Sequence, residues 1–200
     1  MQRPPARSLV LVAVASLAPL VLAACGSAPP ALPGATPAPT PMATAPLQDG
    51  DVPLPAGYTS WPKFLSAVQR PDLKQVREIY VNPTGWRAPL GQPYAHGTTF
   101  VMENYAAQVD AAGNPLTGAD GKLVKGRLLR VFVMSKGPGF GSAVPAELRN
   151  GDWAYASYDA AGAKTADGLG ACRTCHLPLA SKDFVFRVDE HHAWRAQGGY

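Results

Sequence analysis

The sequence predicts a mainly β domain of the α+β type, in which a curved antiparallel sheet carries short flanking helices and a distinct C-terminal segment. Three observations support this fold class. Short runs of β-branched and aromatic residues alternate with turn-forming residues, glycine and proline number 20 and 21 among 200 residues, and long amphipathic helical patterns are missing. This combination is typical of short strands joined by turns.

The first 24 residues have the features of an export signal. Arg3 and Arg7 supply positive charge ahead of an uncharged run, residues 9–22. The run ends in Leu-Ala-Ala-Cys, which resembles the bacterial lipobox, where the cysteine is lipidated and becomes the mature N-terminus. We therefore expect residues 1–24 to be removed and Cys25 to carry the lipid. An ordinary signal peptide, cut at an Ala-x-Ala-like site, is the alternative.

Residues 25–56 form the second region, a tether rich in proline, alanine and threonine. It has too few large apolar side chains to offset the entropy lost on ordering. Gly26 after the lipidated cysteine resembles the signal for outer-membrane sorting, so we expect the protein on the periplasmic side, attached to the membrane by lipid only. Residues 57–200 have the size of one domain.

The charge of the chain excludes nucleic acid as a partner. The formal net charge is +4, but Arg3 and Arg7 leave with the signal, and the remaining charges nearly balance. There is no run of lysine and arginine with interleaved aromatic residues, which such binding requires.

A short helix is expected first. Trp61, Phe64, Leu65 and Val68 recur at helical spacing after Ser60, a suitable N-cap. A proline at position 71 ends the pattern.

Four strands should follow, each bounded by turn residues. In the run 97–105, Phe100 and Met102 should share one face, and Val101 and Glu103 the other. The run 128–134 should be its antiparallel neighbour. In the last run, odd-numbered and even-numbered side chains should occupy opposite faces. The expected strands are residues 76–81, 97–105, 128–134 and 152–158.

The C-terminal segment contains Cys172-Arg173-Thr174-Cys175-His176, the C-x-x-C-H attachment sequence of c-type haem. Two intervening residues let both thiols reach the two vinyl groups of one porphyrin, and the histidine offers a nitrogen to the iron. We therefore predict one covalently attached haem c, with thioethers from Cys172 and Cys175 and with His176 as an axial ligand. Attachment outside the inner membrane is consistent with the export signal.

Two other chemistries could use these cysteines. A structural zinc site could add His191 and His192, although adjacent histidines do not have the H-x₃₋₅-H spacing of a Cys₂His₂ site. A redox dithiol or disulfide is compatible with an oxidising compartment, but no thioredoxin-like strand-to-helix pattern precedes Cys172.

The second axial position decides between electron transfer and ligand binding. No methionine follows residue 176. Met102 and Met134 lie on expected strands and are interpreted as core residues. The remaining histidines are expected to be solvated; they are His96, His191 and His192. The sequence thus predicts five-coordinate iron with an open side for small molecules. An outer-membrane electron-transfer cytochrome with a second axial ligand is the alternative.

The order of short motifs resembles the cytochrome P-460 family, which includes the β-sheet cytochromes c′. A late C-x-x-C-H lies between Gly-Asp-Trp-x-Tyr at 151–155 and Asp-Phe-Val-Phe at 183–186. Tyr58 to Trp61, Tyr-Val-Asn-Pro at 80–83 and Gly97-Thr98 fit the same order. The resemblance implies an antiparallel β fold, a homodimer, high-spin haem c, and either hydroxylamine oxidation or nitric oxide binding.

The chain departs from the hydroxylamine-oxidising members in two ways. Those members carry a lysine cross-linked to the porphyrin, whereas here no lysine lies between Lys74 and Lys122 and Met102 occupies the relevant strand. Some members have a distal glutamate where this chain has Ala156. Glu103 is a candidate proton relay, with a solvated strand glutamate as the competing interpretation.

A candidate distal pocket follows from these assignments. Its residues are Phe100, Met102, Phe132 and Ala156. An apolar pocket of this kind would admit nitric oxide and offer little hydrogen bonding to bound oxygen. The expected partners are therefore a small diatomic or nitrogen-oxide ligand and a redox partner that the sequence does not identify.

Overall fold

The structure is a computed structural model, and it describes residues 45–165 and 168–198. The expected signal peptide and Cys25 lie outside the described residues. Five antiparallel strands form one open sheet in which every strand pairs with the next along the chain. The strands are β1 Lys63–Arg70, β2 Gln75–Val81, β3 Thr99–Ala107, β4 Lys125–Lys136 and β5 Trp153–Asp159, and the helices are α1 Pro83–Trp86, α2 Gly170–His176 and α3 Val188–Ala196.

The mainly β prediction is confirmed, and so are the four predicted strands. The prediction of a helix from Trp61 to Val68 is wrong, because most of this segment belongs to strand β1. Its pairing with β2 is irregular between Lys63 and Leu65 and again between Leu65 and Val68, and Ala67 has φ of 49°. Extra residues in a strand shift the alternation of its side chains. The apolar residues therefore recur at intervals of three and four, which imitates a helix.

Both faces of the sheet are covered. One face is covered by residues from the end of the chain, and we call it the C-terminal face. On it, Phe100, Trp153 and Tyr155 pack against Val185 and Val188. The opposite face is covered by residues that precede β1, and we call it the N-terminal face. Val52, Leu54 and Tyr58 cover it. The strand residues of this second cluster include Tyr80, Val101, Val133, Ala154 and Ala156. The predicted opposite orientation of odd and even side chains in β5 is confirmed, and all side chains from Trp153 to Tyr158 are buried.

Part of the segment expected to be a tether packs on the domain. Val52 is 1% exposed. Gly50 donates its amide to the Tyr155 carbonyl oxygen at 2.7 Å, and Gly141 donates to the Leu47 carbonyl oxygen at 2.9 Å. The folded unit therefore begins before residue 57. Among the described residues, none of the helices has the length and apolar character needed to cross a membrane.

Candidate cofactor-binding site

The C-x-x-C-H motif forms most of α2. Residues three apart on a helix lie on the same side, so Cys172 and Cys175 share one side of α2. Both thiols are free; Cys172 is half-buried against the C-terminal face, and Cys175 is exposed. Burial raises the pKa of the Cys172 thiol. The helix thus presents two thiols, one of them against the apolar face of the sheet.

Arg173, between the two cysteines, anchors α2 to the sheet. It is 1% exposed, and its Nε and Nη2 donate to the Asp49 carboxylate at 2.6 and 2.7 Å. Nη2 also donates to the Trp153 carbonyl oxygen at 3.0 Å. A Cβ at Gly141 would lie 2.2 Å from that nitrogen, so only glycine leaves room for the guanidinium. Sequence reasoning missed Arg173 and Asp49, which it treated as a spacer residue and as part of the tether.

His176 is held in a ligand-ready orientation. Its Nδ1 lies 2.6 Å from the Phe184 carbonyl oxygen, which can only accept, so Nδ1 carries the proton. Burial lowers the pKa of His176 and keeps the ring neutral. The ring contacts Tyr155 and Phe186 edge-on, with centroids 5.4 and 4.9 Å apart. Within the described residues, Nε2 makes no hydrogen bond. A neutral imidazole with Nδ1 engaged by a carbonyl is the usual form of a metal ligand.

The loop that supplies this carbonyl is held by buried contacts. Asp183 and Phe184 both have positive φ, 51° and 62°. The Asp183 carboxylate accepts from Lys136 Nζ at 2.9 and 2.7 Å and from the Tyr94 amide at 2.8 Å. Trp153 Nε1 donates to the Asp183 carbonyl oxygen at 3.0 Å. The side chains of Lys136 and Asp183 are 9% and 12% exposed. These contacts stabilise a backbone conformation that non-glycine residues rarely adopt.

Three of the four residues expected to line the distal pocket lie together. Met102 pairs in register with Phe132, and with Ile79 on its other side. Ile79, Met102 and Phe132 are half-buried and form a row across the C-terminal face, which we call the apolar row. Phe100 lies on the same face in the buried cluster that also contains Tyr155. This is the face to which α2 and its motif are attached.

The structure separates Ala156 and Glu103 from this face. Ala156 belongs to the cluster on the N-terminal face, because it alternates with Tyr155 along β5. Glu103 alternates with Met102 and is 5% exposed, so it is not the solvated glutamate considered above. Its carboxylate accepts hydrogen bonds from the hydroxyls of Tyr58 and Tyr105 at 2.8 and 2.9 Å. The sheet lies between these residues and His176.

The other histidines are placed as follows. His191 is 1% exposed rather than solvated; its Nδ1 lies 2.8 Å from the Phe64 carbonyl oxygen, and burial lowers its pKa to about 4. His96 is exposed, as expected, and lies 3.0 Å from the Asp152 carboxylate. Residues 45–165 and 168–198 contain no group of three or more metal-ligating His, Cys, Asp or Glu side chains.

The residues around α2 fit a flat apolar cofactor with polar edges. Two free thiols and a histidine with a lowered pKa lie on the face of the sheet that carries the half-buried apolar row. Six buried side-chain polar atoms in the described part of the chain have no hydrogen-bond partner. Two of them are the hydroxyl of Tyr155, whose ring contacts His176, and Arg77 Nε on β2. Buried polar groups are rarely left unpaired, so such groups indicate a missing partner. A porphyrin would find its thiols and its nitrogen ligand in Cys172, Cys175 and His176 and would cover the apolar row.

The comparison with protein-family models supports a haem-binding protein. The family model described as Cytochrome P460 matches residues 55–187, more than half of the chain. The matched range includes the motif and the Phe184 carbonyl, but not Asp49. No curated protein matches the chain. The chain therefore belongs to the cytochrome P460 family and is a haem-binding cytochrome.

Proposed function

We propose that this member of the cytochrome P460 family carries one haem c and binds small nitrogen oxides, first among them nitric oxide, at a vacant axial position of the iron. Cys172 and Cys175 would form the thioethers, and His176 would be the axial ligand. The bound group supplies an iron centre that can bind a small molecule. The observation that carries the proposal is the bond between His176 Nδ1 and the Phe184 carbonyl oxygen, because it leaves Nε2 for a metal.

The vacant side is supported by the positions of the other potential ligands. His191 is engaged by a carbonyl in the core, and His96 pairs with Asp152 at the surface. The apolar row of Ile79, Met102 and Phe132 has no hydrogen-bond donor. Nitric oxide binds iron without needing one, whereas bound oxygen is stabilised by donors. We therefore infer a preference for nitric oxide, with hydroxylamine as a further substrate.

A second candidate function rests on Met102. Its thioether lies on the C-terminal face and is half-buried rather than enclosed in the core. Ligation by methionine would give six-coordinate iron and an electron-transfer cytochrome. The variant Met102→Leu separates the two functions, because it changes the spectrum only if the sulfur is a ligand.

We further propose that the protein is exported, anchored through lipidated Cys25 and held on the periplasmic side of the outer membrane as a homodimer. The export-like sequence of residues 1–24 supports the location. A location outside the inner membrane is also where c-type haem is attached. The redox partner is not identified.

The test is the visible spectrum of the protein made in a host that matures c-type haem. We expect haem that remains on the polypeptide under denaturing conditions, a high-spin ferrous spectrum, and a change on addition of nitric oxide. The variant Cys172→Ala/Cys175→Ala should lose covalent haem. Exported protein without haem would contradict the proposal, and a low-spin ferrous spectrum that Met102→Leu converts to high-spin would establish the electron-transfer alternative.

A further inference from the structure

A polar row lies beside the apolar row on the C-terminal face. Arg77 pairs in register with Asn104, and Asn104 with Arg130. Each residue is two positions along its strand from a member of the apolar row, so its side chain projects from the same face. A flat group covering the apolar row would therefore meet this polar row at one edge.

Arg77 lacks the anion that a half-buried guanidinium needs. Its Nε is buried, and no residue in the described part of the chain accepts a hydrogen bond from it. Burial lowers the pKa of Arg77. The nearby carboxylate of Asp72 is already taken by Arg70, with contacts of 3.0 and 2.7 Å. Burying a charge without a partner is costly, which indicates that Arg77 binds an anionic group of the complete protein.

Arg173 is a buried arginine whose charge is paired, and it serves as a comparison for Arg77. It is more deeply buried than Arg77, but Asp49 neutralises it through two short hydrogen bonds. Asn104, next to Arg77, adds a second unpaired atom, since its buried Oδ1 has no donor. Two of the six buried polar atoms without a partner in the described residues thus lie in this polar row.

The position of α2 identifies the anion. Ile79, two residues from Arg77 on β2, and Cys172 of α2 both pack against the same buried cluster. Arg77 therefore projects from the face of the sheet that the attachment helix covers. In the porphyrin of haem c, the pyrrole rings that carry the propionates are the neighbours of those that carry the vinyl groups. An arginine on the same face as the attachment cysteines can therefore reach a propionate.

We propose that Arg77 binds a propionate carboxylate of the haem that Cys172 and Cys175 hold. This inference rests on the proposed function, because it requires the covalent haem. Arg77 is a binding residue for the porphyrin edge and has no contact with the axial positions in this assignment.

The test compares holoproteins with Arg77→Met, Arg77→Lys and, as a matched control, Arg127→Met at an exposed arginine of β4. The readouts are the propionate bending band in the resonance Raman spectrum and the pH dependence of the reduction potential. Losing an opposite charge should raise the pKa of the propionate by about 1 to 3 units. Arg77→Met should shift the Raman band, move the pH-dependent step upward and lower the potential near neutral pH, because an uncompensated carboxylate favours ferric iron.

Arg77→Lys should recover part of each change, and Arg127→Met should cause none. Unchanged Raman and potential data for Arg77→Met would overturn the inference while leaving the haem assignment intact. A loss of affinity for added nitrite, with the same unchanged data, would show that Arg77 serves a free anion and would also overturn it. Absence of covalent haem in the unaltered protein would instead refute the proposed function itself.

Discussion

The imidazole Nδ1 of His176 lies 2.6 Å from the carbonyl oxygen of Phe184, eight residues further along the chain. This one contact determines which ring nitrogen carries the proton and which is available to a metal. The carbonyl is in place only because the loop at Asp183 and Phe184 adopts positive φ. The ligand orientation therefore depends on contacts that lie outside the five-residue motif.

The first prediction concerns the ion pair that holds this loop. Lys136→Met removes the cation from buried Asp183, and we expect the unfolding free energy to fall by about 3 kcal/mol, since one partner of a buried pair is left alone. The Phe184 carbonyl should then lose its fixed position. The iron–histidine stretching band of the ferrous holoprotein should broaden or move, and resonance Raman spectroscopy measures this directly.

The control is Lys182→Met, which removes an exposed lysine paired with exposed Asp189. Surface pairs contribute little, so stability should change by less than about 1 kcal/mol and the iron–histidine band should not move. If Lys136→Met destabilises the protein and leaves the band unaltered, the ion pair supports the fold alone and does not position the ligand.

The second prediction concerns Arg173 and Asp49. Either Arg173→Met or Asp49→Asn should lower the unfolding free energy by about 2 to 3 kcal/mol, because each leaves a buried charge or polar group without its partner. The double variant should lose much less than the sum of the two, as expected for residues in contact. Urea denaturation of the four proteins gives the coupling energy. Additive losses would show that the pair does not act as a unit.

The sequence predicts features that depend on neighbouring residues, but not those that depend on contacts between residues far apart in the chain. The C-x-x-C-H motif is contiguous, so the sequence alone predicts Cys172, Cys175 and His176 as the haem-binding residues without knowledge of the fold. The roles of Asp49 and Lys136 depend on contacts with residues that are far away in sequence, which include Arg173 for Asp49 and Asp183 for Lys136. Nothing in their immediate neighbourhood distinguishes them from surface charges.

The errors in the fold have a similar origin. The bulges in β1 arise from its pairing with β2, and they convert a period of two into an apparent helical period. A solvated Glu103 was the competing interpretation to a proton relay, because the sequence does not show that a distant segment covers its face of β3. In the structure, Tyr58 and the segment around Val52 cover that face. Ala156 lies on the face opposite Phe100, and the sequence does not show which face of β5 meets α2.

The third prediction uses Glu78, which is buried beside two lysines. Burial alone would raise its pKa, but hydrogen bonds from Lys125, Lys63 and Ser66 lower the pKa to about 2. The unfolded chain has the ordinary value of 4.5, so it binds a proton first as the pH falls. The carboxylate therefore contributes stability above about pH 4.5, and this contribution is lost between there and about pH 2.

We expect Glu78→Gln to lower the unfolding free energy near neutral pH by about 2 kcal/mol and to flatten its decrease across this acid range. Urea denaturation as a function of pH measures both effects. Glu147→Gln, at an exposed glutamate, is the matched control and should retain the original slope. If the unfolding free energy of Glu78→Gln decreases across this acid range as steeply as that of the unaltered protein, other carboxylates cause the decrease.

The last prediction separates the two faces of the sheet. If the ligand binds against the apolar row, Met102→Gln adds a hydrogen-bond donor there and should slow the release of bound oxygen from the ferrous protein by about tenfold, the equivalent of a net hydrogen bond of about 1.4 kcal/mol. Glu103→Gln, one residue along β3, places its amide on the N-terminal face near Tyr58 and Tyr105 and should leave the release rate unchanged. Stopped-flow displacement of oxygen by carbon monoxide measures the rate for each protein. The two substituted residues are adjacent in β3, and their side chains lie on opposite faces of the sheet. If release slows in Glu103→Gln but not in Met102→Gln, the ligand binds on the N-terminal face, which contradicts the site around His176.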